Sequence, residues 1–176
     1  MVLVGYWPLD EGSRSTAMDY SGNGNDGDIV GALPTKDGLV FDGVDDYTTI
    51  LNSSPLNPTS QITLSCFFKL NILENSIYPS LIIKDNLGSF FGQFQYGLWI
   101  WRGGLAHRGV SFRARIGSTI TVSSYSPEGG IIDINANDLV GKWSMLTGTY
   151  DGSSMNIYLN TVLVGQIFTS GQLSTV

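Results

Sequence analysis

The chain predicts an all-β fold, an antiparallel jelly-roll β-sandwich of two packed sheets. Helical periodicity is almost absent. In its place stands a succession of short apolar-alternating runs, each closed by turn residues. Between the runs, Gly, Asn and Asp crowd into tight clusters such as Asp19-Tyr-Ser-Gly-Asn-Gly-Asn-Asp-Gly27 and Phe41-Asp-Gly-Val-Asp-Asp-Tyr47. Those residues tolerate the positive φ angles that hairpin turns need.

Taken in order, strands are expected at 2–7, 27–31, 38–42, 46–51, 62–70, 80–84, 96–101, 110–116, 119–125, 143–150, 154–160 and 162–168. The clearest is Ile62 to Leu70, with Ile62, Leu64, Cys66, Phe68 and Leu70 on one face and Thr63, Ser65, Phe67 and Lys69 on the other. Strict alternation of that kind means one buried and one solvated face. Met155, Ile157 and Leu159 alternate with Asn156, Tyr158 and Asn160 in the same way. The largest apolar cluster is expected from Ile62, Leu64, Cys66, Phe68, Ile157 and Leu159. Gly117-Ser118 reads as a two-residue hairpin turn, and Asp151-Gly152 and Asn160-Thr161 close a three-strand meander from 143 to 168. The irregular stretches 85–95 and 126–138 are loops of the length that carries specificity on β-sandwiches.

Composition narrows the function classes. A length of 176 residues, 42% hydrophobic and only 14% charged, fits one folded domain. Nine basic against fifteen acidic residues give a net charge of −6, which disfavours nucleic acid or an anionic membrane as partner and suits either cation binding or plain solubility. The single cysteine, Cys66, excludes an intrachain disulfide and a multi-cysteine zinc site, and its place in an alternating run predicts a small buried hydrophobe. Met1-Val-Leu-Val runs directly into Gly5-Tyr-Trp7 without a basic region, unlike a signal peptide. No apolar stretch approaches the roughly 20 residues of a membrane span. The chain is expected to be cytoplasmic, exported by another route, or cut from a longer protein.

Six segments carry a family resemblance. Gly5-Tyr-Trp-Pro-Leu-Asp-Glu-Gly12, Asp19 to Gly27 and Phe41 to Tyr47 resemble the opening of the laminin-G-like, concanavalin A-like jelly rolls. Ile62 to Lys69 resembles the strand that follows in that family. Lys142-Trp-Ser-Met-Leu-Thr-Gly-Thr-Tyr-Asp-Gly152 and Met155 to Gly165 resemble its later meander. The resemblance implies a single laminin-G-like domain over residues 1–176 that lacks the family's usual last two strands. It departs from the family at Asn160-Thr161, where Asn-Gly is usual, and at Ser144-Met145. The resemblance implies a non-catalytic carbohydrate- or surface-binding module of an extracellular or particle- or cell-surface assembly. The rival expectation is a structural subunit, a virion, filament or coat protein, self-associating through open sheet edges, with the N-terminal run 2–7 the most exposed.

The third and least expected class, a glycan hydrolase or lyase, fits the residues poorly. Retaining glycosidases hold two carboxyl groups about 5–5.5 Å apart, whereas Glu11, Glu74 and Glu128 are isolated. The lone histidine, His107, reads as an exposed loop residue beside Arg108. For metal, Asp19, Asp42, Asp45 and Asp46 are the candidates, as hard oxygen donors in glycine-rich turns that suit a structural Ca²⁺. The same residues also suit turn capping by side-chain hydrogen bonds. For a glycan ligand, Trp99 and Trp101 share a strand face, with Arg102 beside them and Arg113 and Arg115 on the next strand. Sugar rings stack on aromatic faces while arginines supply donors. Trp99 and Trp101 read equally well as sandwich core, and Trp7 and Trp143 are expected in the core.

Overall fold

The computed structural model describes residues 2–12, 15–71, 80–85, 94–103, 107–123 and 136–175, without the side chains of 101–103, 107–108, 120–123 and 136–137. Among the described residues strand predominates and helix is limited to two short 3-10 turns, Ser54–Leu56 and Ala136–Leu139, so the all-β expectation holds. The chain divides into two compact units, Met1–Asn57 and Pro58–Val176.

The first unit is built from short strands: β1 (Thr16–Ala17), β2 (Gly27–Val30), β3 (Leu33–Thr35), β4 (Gly38–Val40) and β5 (Tyr47–Ile50). They form an antiparallel sheet in the order β1-β2-β5 and a separate β3-β4 hairpin. The expected strand at 2–7 does not form. Its carbonyls are taken by side-chain amides instead of a ladder: Asn23 Nδ2 donates to Leu3 O at 3.0 Å and Asn25 Nδ2 to Val4 O at 2.8 Å. Asp19 Oδ1 accepts from Tyr6 N–H at 3.0 Å, and Trp7 Nε1 donates to Asn25 O at 2.7 Å. Side chains thus take ladder positions that a partner strand would otherwise fill at Leu3, Val4 and Tyr6. Trp7 is half-buried rather than enclosed in a core.

The second unit holds β6 (Ile62–Lys69), β7 (Ser80–Asp85), β8 (Phe94–Gly103), β9 (His107–Ile116), β10 (Thr119–Ser123), β11 (Trp143–Tyr150), β12 (Ser154–Leu159) and β13 (Val162–Phe168). Two four-stranded antiparallel sheets result, ordered β10-β9-β8-β7 and β13-β12-β11-β6. His107 therefore opens a strand, paired with Gly103, where a loop was expected. Most of 85–95 and 126–138 lies outside the described residues, as do Glu74 and Glu128.

Alternation in each strand sends one set of side chains between the two sheets. Leu98, Ile100, Phe112, Ala114, Leu146, Met155 and Ile157 are fully enclosed there. Phe68 and Ile157 of the expected cluster belong to this core, whereas Ile62, Leu64, Cys66 and Leu159 pack against its margin. The centre lies instead on β8 and β9, whose residues Phe94 to Leu98 and Gly109 to Phe112 are buried on both faces. The sheets meet closely at Gly148, where an added Cβ would stand 2.5 Å from the Phe112 ring. Burial pushes the Cys66 thiol up to about 11. Leu173, in a tail that reads as polar, is buried and bridges to Ile116. Both residues of the Asn160-Thr161 turn take positive φ, 49° and 71°, the geometry of a primed hairpin turn.

Candidate functional site

The register fixes what each outer sheet face presents. On the β13-β12-β11-β6 sheet, pairing sets side chains in cross-strand rows: Thr63, Thr149, Asn156 and Gln166, then Ser65, Thr147, Tyr158 and Leu163. Phe67 opposes Met145, and Lys69 opposes Trp143. The polar rows are knitted together: the Ser65 and Thr147 hydroxyls lie 2.9 Å apart, and Gln166 Nε2 donates to Asn156 Oδ1 at 2.7 Å. Asn160 anchors the end of the face, its Oδ1 accepting from Met145 N–H at 2.9 Å.

At the aromatic end the face is open. Phe67 is 70% and Trp143 57% exposed. They sit diagonally across neighbouring strands, about 7–8 Å apart at that offset. Trp143 thus departs from the expected core position. The alternation carried the signal: Trp143 shares parity with Met145, Thr147 and Thr149, while Ser144, Leu146, Gly148 and Tyr150 are buried. A tryptophan's size suggested a core, but its phase put it with the threonines.

The face of the other sheet is built differently. Trp99 opposes Ser111, and Gly97 opposes Arg113. The Trp99 ring lies back over Gly97, where an added Cβ would meet it at 2.6 Å. The Arg113 guanidinium carbon stands 5.3 Å from the Trp99 ring centre, a cation–π distance, and Phe94 meets the same ring edge-on at 5.1 Å. Trp99 and Arg113 are therefore brought together, with Arg115 half-buried two residues along the same strand. Gln95 and Ser111 on this face are fully enclosed. Trp101 pairs with Gly109 and Arg102 with Arg108, and the side chains of both lie outside the described residues.

The acidic candidates separate into two environments within the first unit. Asp42, Asp45 and Asp46 each place a carboxylate oxygen within 4.8 Å of the others. Oxygens bound at 2.3–2.6 Å to one Ca²⁺ lie within about 5 Å of each other, so this donor set fits part of a calcium shell. The turn itself uses some of these oxygens: Asp42 Oδ1 accepts from Val44 N–H and Asp46 Oδ2 from Asp42 N–H, both at 2.8 Å. Asp19 stands apart from this group. Its two oxygens accept from Tyr6 N–H, Ser21 N–H, Ser21 Oγ–H and Asn25 N–H at 2.8–3.0 Å. Desolvation raises its pKa, but those four donors outweigh it and bring it down to about 2. Asp19 organises a turn.

Of the described carboxylates of the second unit, Asp85 ends β7, Asp138 lies in the short 3-10 turn Ala136–Leu139, and Asp151 follows β11. Asp151 is likewise a turn residue, accepting from the N–H and hydroxyl groups of Ser153 and Ser154. Those bonds lower its pKa to about 2.

No curated protein and no solved structure is significantly similar to the chain. A family model does match, over residues 42–176, and it describes the concanavalin A-like lectin/glucanase superfamily. With more than half its length matched, the chain belongs to the laminin-G-like family of that superfamily.

Proposed function

We propose that the chain is a non-catalytic saccharide-binding module that takes its ligand on the outer face of β6 and β11. The observation that carries the reading is the exposed pair Trp143 and Phe67 beside ordered hydroxyls. A pyranose presents an apolar C–H face and a rim of hydroxyls. The indole of Trp143 offers a flat partner for the first, and Ser65 and Thr147, about 13 Å further along the strands, offer donors and acceptors to the hydroxyls of a following ring of the same glycan. A preformed sheet face also loses little conformational freedom on binding. The isolation of Glu11, Glu74 and Glu128 in the sequence supports a binding role over glycoside cleavage, which uses a pair of carboxyl groups across one bond. An extracellular or surface location suits such a module.

A second reading places the ligand on the opposite sheet at Trp99, Arg113 and Arg115, with Trp101 and Arg102. The stack of Arg113 on Trp99 favours it. That stack also occupies a face of the indole, which is why the open Trp143 ranks first. We further propose a structural Ca²⁺ held by Asp42, Asp45 and Asp46, supplying cross-linking charge to the acidic turn. The assembly reading rests on the exposed Val2, Leu3 and Tyr6, and light scattering showing a monodisperse monomer overturns it.

Affinity electrophoresis through gels that each contain one polysaccharide tests the main reading. Selective retardation in at least one gel, released by the free oligosaccharide, is the expected result. Equal mobility in every gel overturns it.

A further inference from the structure

The aromatic end of the β6–β11 face is bordered by positive charge. Lys69 lies directly across from Trp143 in the strand register, and Lys142, also exposed, precedes it in the chain. Among the described residues neither lysine has a carboxylate partner; the ion pair present there joins Lys36 and Asp37 in the first unit. The outer-face rows of this sheet contain hydroxyl, amide, apolar and lysine side chains and no acidic one. This is unusual in a chain with fifteen acidic and nine basic residues. The acid excess is segregated: residues 1–57 hold nine acidic and two basic residues, and residues 58–176 hold six acidic and seven basic. An ammonium group opposite an exposed indole, on a face without counter-charge, is complementary to a sugar ring that carries an anion.

We infer that this face selects acidic saccharides, with a uronate- or sialate-type ring stacked on Trp143, its carboxylate met by Lys69 on the same face, and Lys142 adding positive charge where the chain enters β11. The inference rests on the saccharide-binding reading of the same face and adds the ligand's charge class. Phe67 extends the platform toward a neighbouring residue of the glycan, and Ser65 and Thr147 meet its hydroxyls. The ammonium–carboxylate contact is a charge-assisted hydrogen bond at a solvent-open site, so it strengthens at low salt and is screened within about 10 Å at 0.1 M. A neutral analogue keeps the stacking and loses this contact.

A glycan array printed with paired ligands provides the test, each acidic saccharide beside its carboxyl-reduced or desialylated form. The full chain is applied as wild type, as Lys69→Gln/Lys142→Gln, and as Trp143→Ala, with thermal unfolding curves confirming that each is folded. The expected result is preferential binding of acidic forms, weakened about tenfold in the double-lysine variant. Binding of neutral forms stays as it was in that variant, and Trp143→Ala loses both. Equal binding of each acidic and neutral pair, or acid preference that survives loss of both lysines, overturns the inference and leaves the binding module standing. Silence of the folded wild type across the whole array overturns the binding module itself.

Discussion

The two units of this chain are held by different physics. In residues 58–176, two sheets enclose a continuous apolar core, and order comes from ladders and burial. In residues 1–57, strands are two to four residues long, and much of the order comes from side chains bonding backbone: Asp19, Asn23, Asn25 and Asp42 act as turn organisers. Charge divides the same way, with a net of −7 in the first unit and +1 in the second. The difference is the ground for the two proposed sites. Hard cations suit the acidic turns of the first unit, and a stacked ring suits the open sheet face of the second.

The comparison breaks most sharply at Phe112. Truncation to Ala removes the side chain that packs on Gly148 between the sheets and should destabilise the second unit by about 3–5 kcal/mol. Denaturant unfolding followed by tryptophan fluorescence measures it. A loss below about 1 kcal/mol would mean that the sandwich does not depend on this contact.

Calcium should act on the first unit. If Asp42, Asp45 and Asp46 bind it in the folded state alone, a free concentration of 100 Kd stabilises by about 2.7 kcal/mol. The melting temperature therefore rises from chelator to millimolar Ca²⁺, and the triple Asn variant shows no rise. An unchanged melting temperature in the wild type leaves these residues as turn caps.

Asp19 gives the next effect and a pH signature. Its carboxyl titrates at about 2 in the folded protein against 3.8 ordinarily. A lowered folded pKa means the stabilisation is complete above about pH 3.8 and is lost as pH falls towards 2. Asp19→Asn should lower stability at pH 7 by about 1 kcal/mol, allowing for solvent screening at this half-exposed turn. The variant should also flatten the acid limb of the stability curve between those values. A parallel limb in both proteins would contradict the assignment.

An effect of similar size runs in the opposite direction. Thr161 holds φ at 71°, where a β-branched residue is strained. Thr161→Gly should raise stability by about 1 kcal/mol in thermal unfolding, and a loss would show that the Thr161 side chain makes compensating contacts.

These contrasts explain what could be read from the chain itself. The second unit was legible because alternation is a direct record of burial: 62–70 and the 143–168 meander stand as expected. The run at 2–7 misled because its β-forming residues fit a strand, while the amides that claim its carbonyls sit some twenty residues away. Trp143 misled through its size, although its phase was polar. Neither the gathering of Asp42, Asp45 and Asp46 nor the saturation of Asp19 shows in residue type, because all four are aspartates in glycine-rich turns. Only the path of the turn separates a carboxylate aimed at backbone donors from one left facing its neighbours.

The central claim is that ligand binds the β6–β11 face and not the Trp99 face. Isothermal titration of a retained oligosaccharide into wild type, Trp143→Ala and Trp99→Ala, each confirmed folded, tests it most directly. The account predicts that Trp143→Ala abolishes the binding heat, while Trp99→Ala binds with wild-type affinity and unfolds at a lower temperature. Full binding by Trp143→Ala, with loss in Trp99→Ala, would contradict it.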